Sequence, residues 1–90
     1  MDGKNQDDWM QVKIELNGVL CRLAGAQNLM IELNDSATVA DAMAAVEERL
    51  PNAADRLEVT AIAIGDSLVH RNTVLEGDET LVLIPPVSGG

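Results

Sequence analysis

Thr38-Val39-Ala40-Asp41-Ala42-Met43-Ala44-Ala45-Val46-Glu47-Glu48-Arg49-Leu50-Pro51 is the most strongly patterned stretch of this 90-residue chain. Val39, Ala42, Met43, Val46 and Leu50 recur at three- and four-residue spacing, so one side of a helix is apolar while Glu47, Glu48 and Arg49 take its flanks. Thr38 stands at the N-cap, where its hydroxyl can accept an early helical N–H, and Asp41 three residues later can reach back to complete the cap. Asp41 also lies near the positive end of the helix dipole. Pro51 cannot continue the hydrogen-bond ladder, so the helix ends by Leu50.

Strand patterns lie on both sides of this helix. Val12, Ile14 and Leu16 alternate with Lys13, Glu15 and Asn17, which predicts a strand buried on one face and ended by Gly18. Leu20, Leu23 and Ala24 predict one turn of helix closed by Gly25. Leu29 to Leu33 alternate again and pair with the first strand as an antiparallel hairpin, stopped by Asn34-Asp35-Ser36. After the helix, residues 52–57 read as a connection with room for a 3₁₀ turn. Residues 59–64 read as a third strand, turned by Gly65-Asp66, and Leu68-Val69 as a brief fourth. The loop from Arg71 to Asp78 has one apolar anchor, Leu75. The final strand, Thr80-Leu81-Val82-Leu83-Ile84, is apolar almost throughout and suits the middle of a sheet. Met30 and Met43 read as core filler. The pattern as a whole is α+β: a mixed sheet of four to five strands wrapped over one main helix. It divides into a flexible polar leader (1–10), a folded domain (11–84) and an extended tail (85–90).

Size and composition exclude much. A chain this short buries roughly 60–65% of the surface its unfolded form exposes, enough for one core but not for a core and an enclosed substrate pocket. One cysteine, Cys21, excludes an internal disulfide and a cysteine metal cage. His70 is the only histidine, so a histidine metal site or a Ser-His-Asp relay has no material. With Trp9 as the only aromatic residue, base-stacking platforms for single-stranded nucleic acid cannot be built. Fifteen acidic against six basic residues give a formal charge of −9, which repels nucleic acid and anionic membrane and favours a partner with a basic docking face. No apolar run approaches the ~18–20 residues of a membrane span, and Met1 to Asp8 lack the pattern of a signal peptide. A cytoplasmic protein is the expectation.

The chemistry is expected at the end of the chain. Pro85-Pro86-Val87-Ser88-Gly89-Gly90 follows the last strand. Two prolines deny the sheet two donors and hold the backbone extended, so six residues reach roughly 18–20 Å. Gly89 and Gly90 carry no side chain and can pass through a channel about as wide as the backbone. A free carboxylate, with a pKa near 3.5, is a poor electrophile and needs a partner to activate it, for example as an acyl-adenylate. The same ending also fits a frayed terminus, and composition alone leaves both readings open.

The chain resembles the small subunit of molybdopterin synthase, of the ubiquitin-like sulfur-carrier group. The likeness covers about residues 11–90. It rests on Gly18-Val19-Leu20-Cys21-Arg22-Leu23-Ala24-Gly25, on Ala37-Thr38-Val39 leading into the helix, on Leu75-Glu76-Gly77-Asp78-Glu79, and above all on the Pro-Pro pair and double glycine of the tail. The resemblance implies a ubiquitin-like β-grasp fold. It implies that Gly90 is adenylated by a ubiquitin-activating-like enzyme, which uses ATP and Mg²⁺, and is converted to a thiocarboxylate with sulfur from a donor enzyme. The tail would then enter the large synthase subunit and give sulfur to cyclic pyranopterin monophosphate, building the dithiolene of the molybdenum cofactor. Gly89 would serve channel passage, and this chain would be a sulfur-donating subunit that holds no cofactor and supplies no acid, base or nucleophile. Partner contacts carried over by position are Leu68, Ile84, Pro85, Pro86, Val87 and Ser88. Asn17 joins them as a departure, since the family commonly has an aromatic there and Asn removes apolar contact area. Cys21 stands where Arg is usual. One residue more than usual separates Gly77-Asp78 from Pro85, which predicts a bulge.

Cys21, beside Leu20 and Leu23, reads as packing in preference to a sulfur relay, and His70 beside Arg71 as a surface residue. Two alternatives remain open. One keeps the fold and changes the acceptor: a carrier for thiamine, tRNA thiolation or amino-acid sulfur, or a modifier joined to lysines. The other is an interaction module that never reacts.

Overall fold

A computed structural model describes residues 9–86. Five strands form one sheet in the order β2-β1-β5-β3-β4. Strands β1 (Trp9–Leu16) and β2 (Asn28–Asn34) are antiparallel neighbours, as their matched alternation predicts. The short helix α1 (Val19–Ala24) lies between them in sequence and closes on Gly25, whose φ of +71° is the left-handed conformation a helix end favours. Helix α2 (Val39–Arg49) crosses one face of the sheet. A 3₁₀ turn (Pro51–Ala53) and helix α3 (Ala54–Glu58) lead into β3 (Ala61–Ile64), β4 (Ser67–Leu68) and β5 (Thr80–Ile84). This is the α+β, ubiquitin-like β-grasp architecture, with five strands packed on one main helix.

Periodicity explains the core. Val12, Ile14 and Leu16 of β1, Leu81 and Leu83 of β5, and Val39, Ala42 and Val46 of α2 are each no more than 2% exposed and pack together with Leu20, Ile62 and Leu75. β5 is the central strand, parallel to β1 and antiparallel to β3. The cap of α2 forms as the sequence suggests. The Thr38 hydroxyl accepts the Asp41 N–H at 3.3 Å, and the Asp41 carboxylate accepts the Thr38 N–H at 2.9 Å. Thr38→Ala is expected to lower stability by about 1 kcal/mol in urea unfolding with an unchanged denaturant slope.

Several expectations need correction. The leader does not run to residue 10. β1 already starts at Trp9, because Trp9 and Met10 pair with Asn34 and Leu33, and Met10 packs on the core. Residues 52–57 are not merely a connection: they contribute to the 3₁₀ turn and to α3, with Val59 as the helix C-cap, so β3 begins at Ala61. β4 is Ser67–Leu68, one residue earlier than predicted. No bulge interrupts β5. Residues 81–84 pair consecutively with Ile64, Ala63, Ile62 and Ala61. Met43 is core, but Met30 is 49% exposed.

The loop ahead of β5 is held by Glu79. Its carboxylate accepts the N–H of Glu76 at 2.8 Å and of Gly77 at 2.9 Å. Burial pushes this carboxyl upward, and the N–H groups directed at it outweigh burial, so its pKa falls below the ordinary 4.5. A depressed carboxylate contributes stability that is full above the unfolded value and is lost as pH falls through the folded one. Glu79→Gln is therefore expected to cost about 1 kcal/mol at pH 7, a value kept small by solvent contact, and to flatten the fall in stability from about pH 5 downward. Urea midpoints across that acid range provide the measurement.

Candidate functional site

The root of the tail is where the sheet, α1 and α3 meet. β5 and β1 run parallel, and their last paired residues are Leu83 and Leu16. Beyond Leu16 the chain leaves the sheet, because Gly18 (φ +57°) turns it into α1. The side chain of Asn17 bridges the gap: its Nδ2 donates to the Leu83 carbonyl at 3.1 Å. Gly18 lies against the Pro85 ring, where an added Cβ would sit 3.5 Å from the proline Cγ. On the helix side, a cleft of about 450 Å³ opens between Val19, Asp55, Arg56, Val59 and the two prolines. Pro85 is half-buried and Pro86 exposed.

The other side of the root is the open face of the sheet. Ile84 is 42% exposed there and Leu68 71%. Register relates them: Ile84 pairs with Ala61, Leu68 with Ala63, and Ala63 with Val82. Paired side chains share a face, so Ile84, Val82, Ala61 and Leu68 form one apolar patch two strand spacings wide, roughly 10 Å, with the buried Ala63 as its floor. Glu15, paired with Val82, lies at its margin. The patch adjoins the strand that continues into the tail.

Of the residues singled out from sequence, Asn17, Ile84 and Pro85 gather at the end of β5, with Pro86 beyond. Leu68 lies across the patch on β4. Val87, Ser88, Gly89 and Gly90 lie outside the described residues. Asn17 does not simply add to an outward surface; it bonds the backbone of β5. Sequence reasoning missed Gly18, Val19 and Val59, which flank the prolines, and Ala61, Ala63 and Val82, which complete the patch. Alternation along β5 and β3 carried the signal for the patch. Cys21 is half-buried and packs on the core, as expected, and His70 is exposed. Among the described residues, no three His, Cys, Asp or Glu side chains converge as metal ligands would. The described geometry presents an extended segment from a rigid strand, between an apolar patch and a cleft.

Residues 14–90 match the ThiS family. No curated protein matches the chain. Among solved structures, the chain is similar to SAMP1, a small archaeal modifier protein, from Haloferax volcanii, with 23% identity over 89% of this chain and 99% of that one and a TM-score of 0.80. It is similar to a putative molybdopterin converting factor subunit 1 from Pyrococcus furiosus, with 23% identity over 87% and 99% and a TM-score of 0.76. A complex of subunits 1 and 2 of molybdopterin-converting factor from Helicobacter pylori 26695 also matches, with 29% identity over 90% and 100% and a TM-score of 0.61. The likenesses at 23% identity bear on the fold alone.

Proposed function

The chain belongs to the ThiS family of ubiquitin-like β-grasp sulfur carriers and modifiers, and from that premise we propose that the carboxyl group of Gly90 is its working group. A partner enzyme activates it: a carboxylate oxygen attacks the α-phosphorus of ATP, and pyrophosphate leaves. Hydrosulfide released by a donor enzyme then attacks the acyl carbon, the bond to AMP breaks, and a thiocarboxylate remains. The observation that carries this reading is the tail root. A central strand, braced on both sides, launches Pro85-Pro86 outward beside an apolar patch, with Ser88-Gly89-Gly90 to follow. Gly89 lets the tip pass a narrow channel, while Leu68, Ile84 and Val87 meet the partner. The reaction runs in the cytosol, where ATP is at hand.

The family premise supports a carrier or a modifier alike and leaves the acceptor to be decided. The likeness to the Helicobacter pylori complex, at 29% identity, favours a second synthase subunit in which the sulfur passes to cyclic pyranopterin monophosphate. The family holds modifiers as well as carriers, so the second reading is a lysine amine that takes the acyl group and forms an isopeptide bond.

Intact mass after incubation with an activating enzyme, ATP and a sulfur donor tests the common step. The chain should gain the difference between sulfur and oxygen; an unchanged mass overturns the proposal. Offering the charged protein a large synthase subunit with the pterin, or a mixture of lysine-bearing proteins, then separates the acceptors. Only the synthase reading returns the mass to its starting value with a dithiolene product.

A further inference from the structure

The end of β1 leaves a defect in the sheet at the point where the tail begins. A continuing β1 would offer β5 another backbone donor after Leu16. That donor is lost because Gly18 turns the chain into α1. The first helical N–H groups, of Leu20 and Cys21, are then directed at the carbonyls of Asn17 and Gly18. The Leu83 carbonyl instead receives the side chain of Asn17, 66 residues away in sequence, at 3.1 Å in a partly buried position.

We propose that Asn17 is a positioning residue for the tail: its side-chain amide extends the β1–β5 ladder by one bond and fixes the direction in which Ile84-Pro85-Pro86 leave the domain. The proposal rests on Gly90 being the working group and names how this domain aims it. Leverage makes one bond count. The two prolines hold φ near −65° and favour extended backbone, so residues 84–86 act as a stiff rod of roughly 9 Å. Ile84 is paired with Ala61 on the β3 side, so the Asn17 bond holds the opposite edge. Tilting the rod by about 10° at the Leu83–Ile84 peptide moves its far end, Pro86, by roughly 1.5 Å and displaces the start of the segment that carries Gly90 by as much. Gly18 against the Pro85 ring braces the rod one residue further on. Asn suits the position because its amide reaches a carbonyl from a short side chain and leaves the backbone of α1 undisturbed.

Two variants and two readouts test the proposal. Asn17→Leu keeps the size and removes the donor; Asn17→Asp keeps the polarity and replaces the donor with an acceptor. In the free protein, residual dipolar couplings of the Ile84 and Val87 amides are expected to change in both variants, while those of α2 stay as in the wild type. In charging assays, kcat is expected to fall roughly 3- to 10-fold with KM unchanged. A raised KM with unchanged kcat would make Asn17 a partner contact and overturn the proposal, as would unaltered couplings in Ile84 and Val87. Should the wild type take no charge from any activating enzyme, the Gly90 reading fails, and the couplings alone decide whether Asn17 holds the root.

Discussion

Extending the chain by one residue after Gly90, or replacing Gly90 with a bulky residue such as leucine, is expected to reduce charging by at least roughly 100-fold while the domain stays folded. An added residue moves the terminal carboxyl by roughly 3.3–3.6 Å, about the whole contact distance that an attacking oxygen needs to its phosphorus. A leucine side chain acts differently. It leaves the carboxyl in register but gives the tip a branch that a backbone-wide channel cannot admit. Both routes spare the fold, because the core is assembled from residues 12–83. Melting is expected within about 0.5 kcal/mol of the wild type for both variants. Intact mass reads the charging and a urea transition reads the fold. Full-rate charging of the extended chain would remove the Gly90 carboxyl from the mechanism, and full-rate charging of the leucine variant would remove the backbone-wide channel.

Residues whose neighbours in sequence determine their position were legible from the sequence. Helix α2 declares itself through three- and four-residue spacing, a Thr-Asp cap and a following proline, and all three signals agree. β5 declares itself by continuous apolarity, which only a central strand tolerates. Errors arose where one signal was read alone. Residue type alone puts Met30 in the core, yet it is in phase with Asn28 and Glu32 and so faces water. Helix α3 has five residues, too few to display a helical period. Trp9 and Met10 follow a polar stretch and gain their strand conformation from Asn34 and Leu33, a non-local cause.

The candidate site divides along the same line. The Gly-Gly ending and its distance from an apolar strand can be read directly. The Asn17–Leu83 bond and the Gly18–Pro85 contact cannot, because nothing local at residue 17 reports where residue 83 will lie. A resemblance-based expectation made Asn17 a weakened partner contact. Folding gives it an internal bond that an apolar ring has no donor to make.

Leu83→Ala is expected to cost about 2–5 kcal/mol, a large share of the roughly 5–13 kcal/mol total stability of a domain this size. Leu83 is fully buried, pairs with Leu16 on one side and Ile62 on the other, and lies in the core that α2 covers. Truncation there removes contacts from both halves of the sheet at once, and strands held on two sides cannot collapse readily into the space left behind. Leu68→Ala makes the contrast. Leu68 is 71% exposed, so its loss is expected to change stability by less than about 0.5 kcal/mol and to raise the KM for the partner. Alternation on β5 gives the reason for this separation. Leu81 and Leu83 face inward and hold the sheet together, while Val82 and Ile84 face outward and belong to the apolar patch. Because the Asn17 bond goes to the Leu83 backbone, the folded fraction of Leu83→Ala should still charge with near-normal kcat. A urea midpoint that falls with the slope unchanged, together with that retained rate, is the expected result. A variant as stable as the wild type would mean that β5 is not the central strand on which the domain and its tail both depend.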